Sequence, residues 1–188
     1  MIAVSLNTLA LLYKSQGRYS EAELLYERSL KIREHQLGID HPNIASSLNN
    51  LAFLYSSQGR YSKAESLYKR SLKINERQLG SNHPLVATSL NNLASLYYIQ
   101  GRYSEAESLY ERALKIRESQ VDNSHPDLAS SLNNLAYLYD SQGRYSEAEA
   151  LYVRALSIFE KFLPANHLDL AIVRGNLEKL RSQLNSGG

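Results

Sequence analysis

The sequence predicts an all-α fold of four tandem helix pairs closed by a final helix, on three observations. The string Gln-Gly-Arg-Tyr-Ser begins at Gln16, Gln58, Gln100 and Gln142, each 42 residues after the last. Apolar residues recur three and four positions apart, the period of one helix face, and the alternation of a strand appears nowhere. The 188 residues carry 14 Tyr against 3 Phe and no Trp, which suggests a tyrosine placed by repetition.

The repeat divides the chain into units at about 4–45, 46–87, 88–129 and 130–171, together residues 1–171. In the second unit a first helix is expected from about Asn43 to Ser57, with Leu48, Leu51, Ala52 and Tyr55 on its apolar face. Gln58-Gly59 ends it, the glycine suiting a left-handed residue just past the helix. Ser62 is expected to cap the second helix, with Glu65 three residues on as in a capping box. That helix buries Ala64, Leu67, Tyr68, Ser71, Leu72 and Ile74, ends at Leu79-Gly80, and is followed by Pro84 at the start of the next. The fifth unit loses the motif after Val173. Its added Arg174, Glu178, Lys179 and Arg181 fit a capping helix over 172–184 with one wet face, before a polar tail at 185–188.

Leu48-x2-Leu51-Ala52-x2-Tyr55 followed by Ala64-x3-Tyr68 resembles the tetratricopeptide pattern, in a unit of 42 residues instead of the usual ~34. The longer unit, with SLNNLA, QGRYSEAE and LG-x2-HP, is similar to the repeats of kinesin light chain and of many bacterial tetratricopeptide proteins. HEAT and armadillo repeats have comparable length, but the Gly-x-Tyr turn and the small residues at helix crossings favour tetratricopeptides. The resemblance implies a right-handed α-α superhelix whose first helices line a concave groove.

Composition excludes several functions. A net charge of +2 argues against strong nucleic-acid binding, which needs clustered positive charge. No apolar run approaches the ~20 residues that span a bilayer, so no membrane role is expected. The absence of cysteine removes thiol chemistry and fits a reducing, cytoplasmic setting. Ser, Tyr, Asn and His sit at repeat-locked positions, so no catalytic constellation stands out and no enzyme is expected. His41, His83, His125 and His167 lie one unit apart. Stacked helices separate equivalent residues by roughly 10 Å, so these four cannot share one metal ion and are read as turns. No metal or other cofactor is expected.

From Ser5, Ser47, Ser89 and Ser131 onward, the four first helices differ in only four columns: Thr8/Asn50/Asn92/Asn134, Leu11/Phe53/Ser95/Tyr137, Lys14/Ser56/Tyr98/Asp140 and Ser15/Ser57/Ile99/Ser141. At ~100° per residue these columns share one face, opposite the invariant Leu48, Leu51, Ala52, Leu54 and Tyr55. Drift on a wet surface favours polar residues. The apolar Leu11, Phe53, Tyr98, Ile99 and Tyr137 therefore point to a binding groove for a protein or peptide ligand. Amides of Asn50, Asn92 and Asn134 offer donors and an acceptor suited to the backbone of an extended segment, and the family resemblance implies the same use. The first asparagine of each pair (Asn7, Asn49, Asn91 and Asn133) suits bonding to the neighbouring helix. Lys14 and Asp140 are the only charges in these columns, too few cations for a clamp on a C-terminal carboxylate. The ligand expected is an extended segment with apolar or aromatic anchors, bound at about micromolar strength.

Three further readings complete the expectation. Arg18, Arg60, Arg102 and Arg144 are taken to serve the carbonyl ends of helices. Glu27, Arg28, Lys31, Arg33 and Glu34 are taken as a solvated face. The first helix lacks a preceding cap, so self-association through it, or a purely structural spacer role, is the alternative to peptide capture.

Overall fold

The computed structural model describes residues 2–119 and 125–186. Among these, every regular element is an α-helix: α1 (Ile2–Ser15), α2 (Tyr19–Leu37), α3 (Pro42–Ser57), α4 (Tyr61–Leu79), α5 (Pro84–Ile99), α6 (Tyr103–Glu118), α7 (Pro126–Ser141), α8 (Tyr145–Phe162) and α9 (Leu168–Ser186). They gather into two compact units, 1–100 with α1–α5 and 101–188 with α6–α9. In the first, α1 pairs with α2 and α3 with α4, successive helices stack, and α3 also touches α5. In the second, α6, α7, α8 and α9 stack in order and α7 also touches α9. The repeat boundaries read from the sequence fall about one turn inside α3, α5 and α7. The closing helix starts at Leu168, one turn before 172, and includes 185–186 of the expected tail; residues 187–188 lie outside those described.

Two sequence signals set the helix ends. Gly59 has φ +73°, the left-handed conformation that costs a residue with a Cβ. Its N–H reaches the Ser56 carbonyl (3.0 Å), and the Arg60 N–H reaches that of Tyr55 (2.8 Å), the paired bonds of a Schellman ending. At the other end, Pro42, Pro84 and Pro126 open α3, α5 and α7. The histidine before each proline is the N-cap, its Nδ1 accepting the N–H two residues on. The His-Pro steps are thus caps as well as turns. The expected Ser62 cap is corrected: α4 begins at Tyr61, and Arg60 precedes it without a side-chain cap bond. The Schellman ending places Arg60 between two helices already joined by backbone bonds, which leaves Ser62 inside the first turn.

Each first helix carries two apolar stripes. Ala45, Leu48, Ala52 and Tyr55 of α3 lie on the side of their partner α4; Ile44, Ser47, Leu51 and Leu54 lie on that of the preceding pair, and all are buried. Small residues permit the close crossings: Ala22, Ala64, Ala106 and Ala148 have no exposed surface. The buried Ser71 hydroxyl donates to the Ala45 carbonyl (3.0 Å), as Ser29 does to Ala3 (2.7 Å). Both ends of the array depart from this pattern. In α9, Leu170, Val173, Leu177 and Leu180 keep the stripe toward the preceding helices, whereas Arg174, Glu178 and Arg181 stand exposed where Leu132, Ala136 and Tyr139 are buried. Arg174 pairs with Glu160 (2.8 Å) and Arg181 with Glu149 (2.7 Å). In α1 the opposite stripe is open: Ile2 is 67% exposed where Ile44 is fully buried, and Leu12 51% where Leu54 is fully buried.

Candidate peptide-binding face

The variable columns lie along the sides of α1, α3, α5 and α7 left uncovered by packing. Leu11, Phe53, Ile99 and Tyr137 are exposed; Lys14, Asn50, Asn92, Tyr98, Asn134 and Asp140 are half-buried. In the first unit the structure joins several of them. The Lys14 ammonium stands 3.6 Å above the Phe53 ring, a cation–π contact between neighbouring repeats. Partial burial lowers the Lys14 pKa. In the second unit Asn134, Tyr137 and Asp140 follow one another at three-residue steps along one face of α7.

The asparagines divide only partly as expected: Asn7 and Asn133 bond to a neighbouring helix, and so does Asn50. Asn50 donates its amide to the Asn7 oxygen (3.2 Å), and Asn176 does the same to Asn133. The Asn7 and Asn133 oxygens are thus met by the aligned asparagine of the next repeat, whereas the Asn49 oxygen is buried without a bond; Asn50 is partly committed to holding α1 and α3 together. Asn92 and Asn134 make no hydrogen bond among the described residues and keep full amide capacity. Asn134 opens onto a cleft of about 230 Å³ between α7 and α9, with Ser130, Asn133, Asp169 and Ile172 around it and Phe159 and Val173 at its base. Asp169 and Ile172 escaped the sequence reading because they lie where the repeat motif decays.

The turn arginines are also reassigned. Arg60 stacks 4.2 Å above the Tyr55 ring and binds Glu23 of α2 (2.5 Å). Arg144 stacks 3.6 Å above Tyr139 and binds Glu107 of α6 (2.5 Å) and Glu147 (2.7 Å). Tyr55 donates to both Glu23 and Glu27 (3.1 Å each). These are clamps between repeats, and the guanidinium prefers a carboxylate and a ring face to a carbonyl. Burial, with Glu107 adding to it, pushes the Tyr139 pKa up to about 12. For Glu23, burial acts to raise the pKa but is outweighed by hydrogen bonds from Arg60 and Tyr55, and the net shift is downward. The charged residues of α2 are correspondingly less solvated than expected: Arg33 donates to the Ser47 hydroxyl (2.8 Å) and Glu34 pairs with Arg70 (2.8 Å).

Tetratricopeptide repeat models match residues 1–77, 43–119 and 128–169. The chain belongs to the tetratricopeptide repeat family. Repeats of this family generally mediate protein–protein interaction and are typically non-enzymatic scaffolds. Among solved structures, the chain is similar to BtubC (BKLC) from P. vanneervenii, with 31% identity and a TM-score of 0.72 over 88% of this chain and 67% of that one. It is also similar to a putative kinesin light chain from Podosopora anserina with nearly identical TPR-like repeats, with 27% identity and a TM-score of 0.77 over 97% of this chain and 86% of that one. A single-substitution form of the latter gives a TM-score of 0.79 at the same identity and coverage. None of the curated proteins compared matches the chain. No helix among the described residues is long and apolar enough to cross a membrane.

Proposed function

We propose that this tetratricopeptide chain is a non-catalytic scaffold of the cytoplasm that captures an extended peptide segment along its first helices. The carrying observation is found in each unit: Phe53 and Ile99 are exposed in the first, where the Asn92 amide is uncommitted, and Tyr137 is exposed in the second, one turn from the uncommitted amide of Asn134. Exposed aromatic and branched side chains lose unfavourable hydration when a ligand covers them, at ~25 cal/mol per Å². The amides satisfy the ligand's backbone without reading its sequence. In the first unit Lys14 and Phe53 form one combined apolar and cationic surface, with Leu11 one turn back; in the second, Tyr137 sits between Asn134 and Asp140.

Random-peptide display on the wild type and on the Asn92→Ala/Asn134→Ala variant tests this. Peptides with apolar anchors should be enriched on the wild type and lost on the variant at unchanged helicity. Equal enrichment on both proteins, or none on either, refutes the reading.

The open stripe Ile2, Leu9 and Leu12 of α1 favours a second reading, a structural module that self-associates through this helix. Sedimentation equilibrium decides it. A mass rising with concentration and returning to monomer in Leu9→Lys/Leu12→Lys supports it, and a constant monomer mass rejects it.

A further inference from the structure

The cleft between α7 and α9 has lost an internal arginine that the preceding repeat possesses. One column of the second helices reads Arg33, Asn75, Arg117 and Phe159. One column at the start of the first helices ends in Asp127 and Asp169. In α6 and α7 the two columns meet: the Arg117 guanidinium lies 2.9 Å from the Asp127 carboxylate. One repeat later the carboxylate is retained and the arginine is replaced by Phe159. The phenyl ring is only 2% exposed and lies at the base of the cleft.

Asp169 therefore lacks the partner that Asp127 has. His167 is close, its Nδ1 3.7 Å from the carboxylate, but that nitrogen accepts the Asp169 N–H at 3.2 Å and so carries no proton to share. Among the described residues the carboxylate accepts no hydrogen bond. Around it are the free amide of Asn134, the half-exposed side chain of Ile172, and the apolar base of Phe159 and Val173. The other polar groups of the rim are engaged, the Ser130 hydroxyl with the Pro126 carbonyl (3.2 Å) and the Asn133 oxygen with Asn176 (3.2 Å), so an apolar base with one free carboxylate and one free amide above it matches a long aliphatic stem ending in a cation.

We propose that this cleft is a subsite for a lysine or arginine side chain of the bound peptide, whose cation takes the place at Asp169 that Arg117 occupies at Asp127. The proposal rests on the peptide-binding reading and adds a chemical preference to it: a basic residue set beside the anchor that meets Tyr137.

Two measurements test it separately from that reading. In display selections, peptides enriched on the wild type should carry Lys or Arg at one fixed position. Asp169→Asn should retain the apolar anchors and lose the basic preference. A selected peptide should bind this variant about tenfold more weakly, with the difference shrinking as salt is raised. Enrichment without a basic position, or a preference unchanged in Asp169→Asn, overturns the subsite while leaving peptide capture intact. Independently, N-acetyl-arginine amide titrated into the full chain should shift the Ile172 and Val173 methyl resonances saturably, and should do so far less in Asp169→Asn. Such shifts without any selected peptide would retain the subsite and reject the peptide reading; their absence from the wild type overturns the subsite.

Discussion

Arg60 and Arg144 show how little at the scale of a residue a repeat position reveals by itself. The spacing fixed where each arginine falls but gave no sign that a carboxylate 37 positions earlier would meet it, because that contact depends on how one helix pair docks on the next. The phenols in these clamps have a measurable consequence. Tyr139 stays protonated in the folded state up to about pH 12, against ~10 in the unfolded chain. A raised folded pKa contributes stability that is complete below ~10 and is lost as pH rises toward 12. The phenolate absorbance that Tyr139→Phe removes should develop near pH 12, and the same substitution should flatten the fall of the urea midpoint across that window. Backbone chemistry gives a second test. Gly59 has open space around it but a positive φ, so Gly59→Ala meets strain and no clash. A loss of about 1–2 kcal/mol in urea unfolding is expected; an unchanged midpoint would mean that the turn relaxes.

Individual helices were the most legible elements, and the reason is physical. Their apolar period, the glycine past each first helix and the proline opening the next all act locally, so α3 was placed to within a residue or so. Ser62 misled because a serine three residues before a glutamate suits a cap anywhere the backbone is free, and at this turn the Schellman bonds had already used that freedom. The candidate face was legible where it depended on variation between units, as for Phe53 and Tyr137. It was illegible where it depended on pairing between units, as for Asn50 with Asn7. The helix crossings predict a third outcome. Ala64 has no exposed surface in the crossing of α3 and α4, so Ala64→Leu should overpack it and cost about 1–3 kcal/mol. A melting temperature equal to that of wild type would contradict this packing.

At the scale of the whole molecule, the largest contacts among the described residues join helices adjacent in the chain, within each of two compact units. Stability in such an array is approximately a sum of local terms. Hydrogen exchange on Ala64→Leu should therefore accelerate most in α3 and α4 and least in α8. Uniform acceleration along the chain would show a single cooperative unit instead. That the chain is a repeat array was plain from the 42-residue step alone, since no other architecture needs the same string four times. The chemistry of its ends was less plain: the charges of α9 could be read as a cap, while the open stripe of α1 needed comparison with the buried Ile44 and Leu54.

The column Arg33, Asn75, Arg117 and Phe159 also bears on how near-identical units find their proper neighbours. Four copies of one unit give a newly made chain many almost equivalent mispairings, within one molecule and between molecules. Arg33 meets Ser47, Asn75 meets Ser89 and Arg117 meets Asp127. Phe159, at the base of the α7–α9 cleft with Val173, would set a phenyl ring against a serine hydroxyl in any other pairing. These few differing positions act as address labels on otherwise interchangeable parts, and a chain whose four residues in this column were made alike would be expected to exchange helices between molecules as it folds.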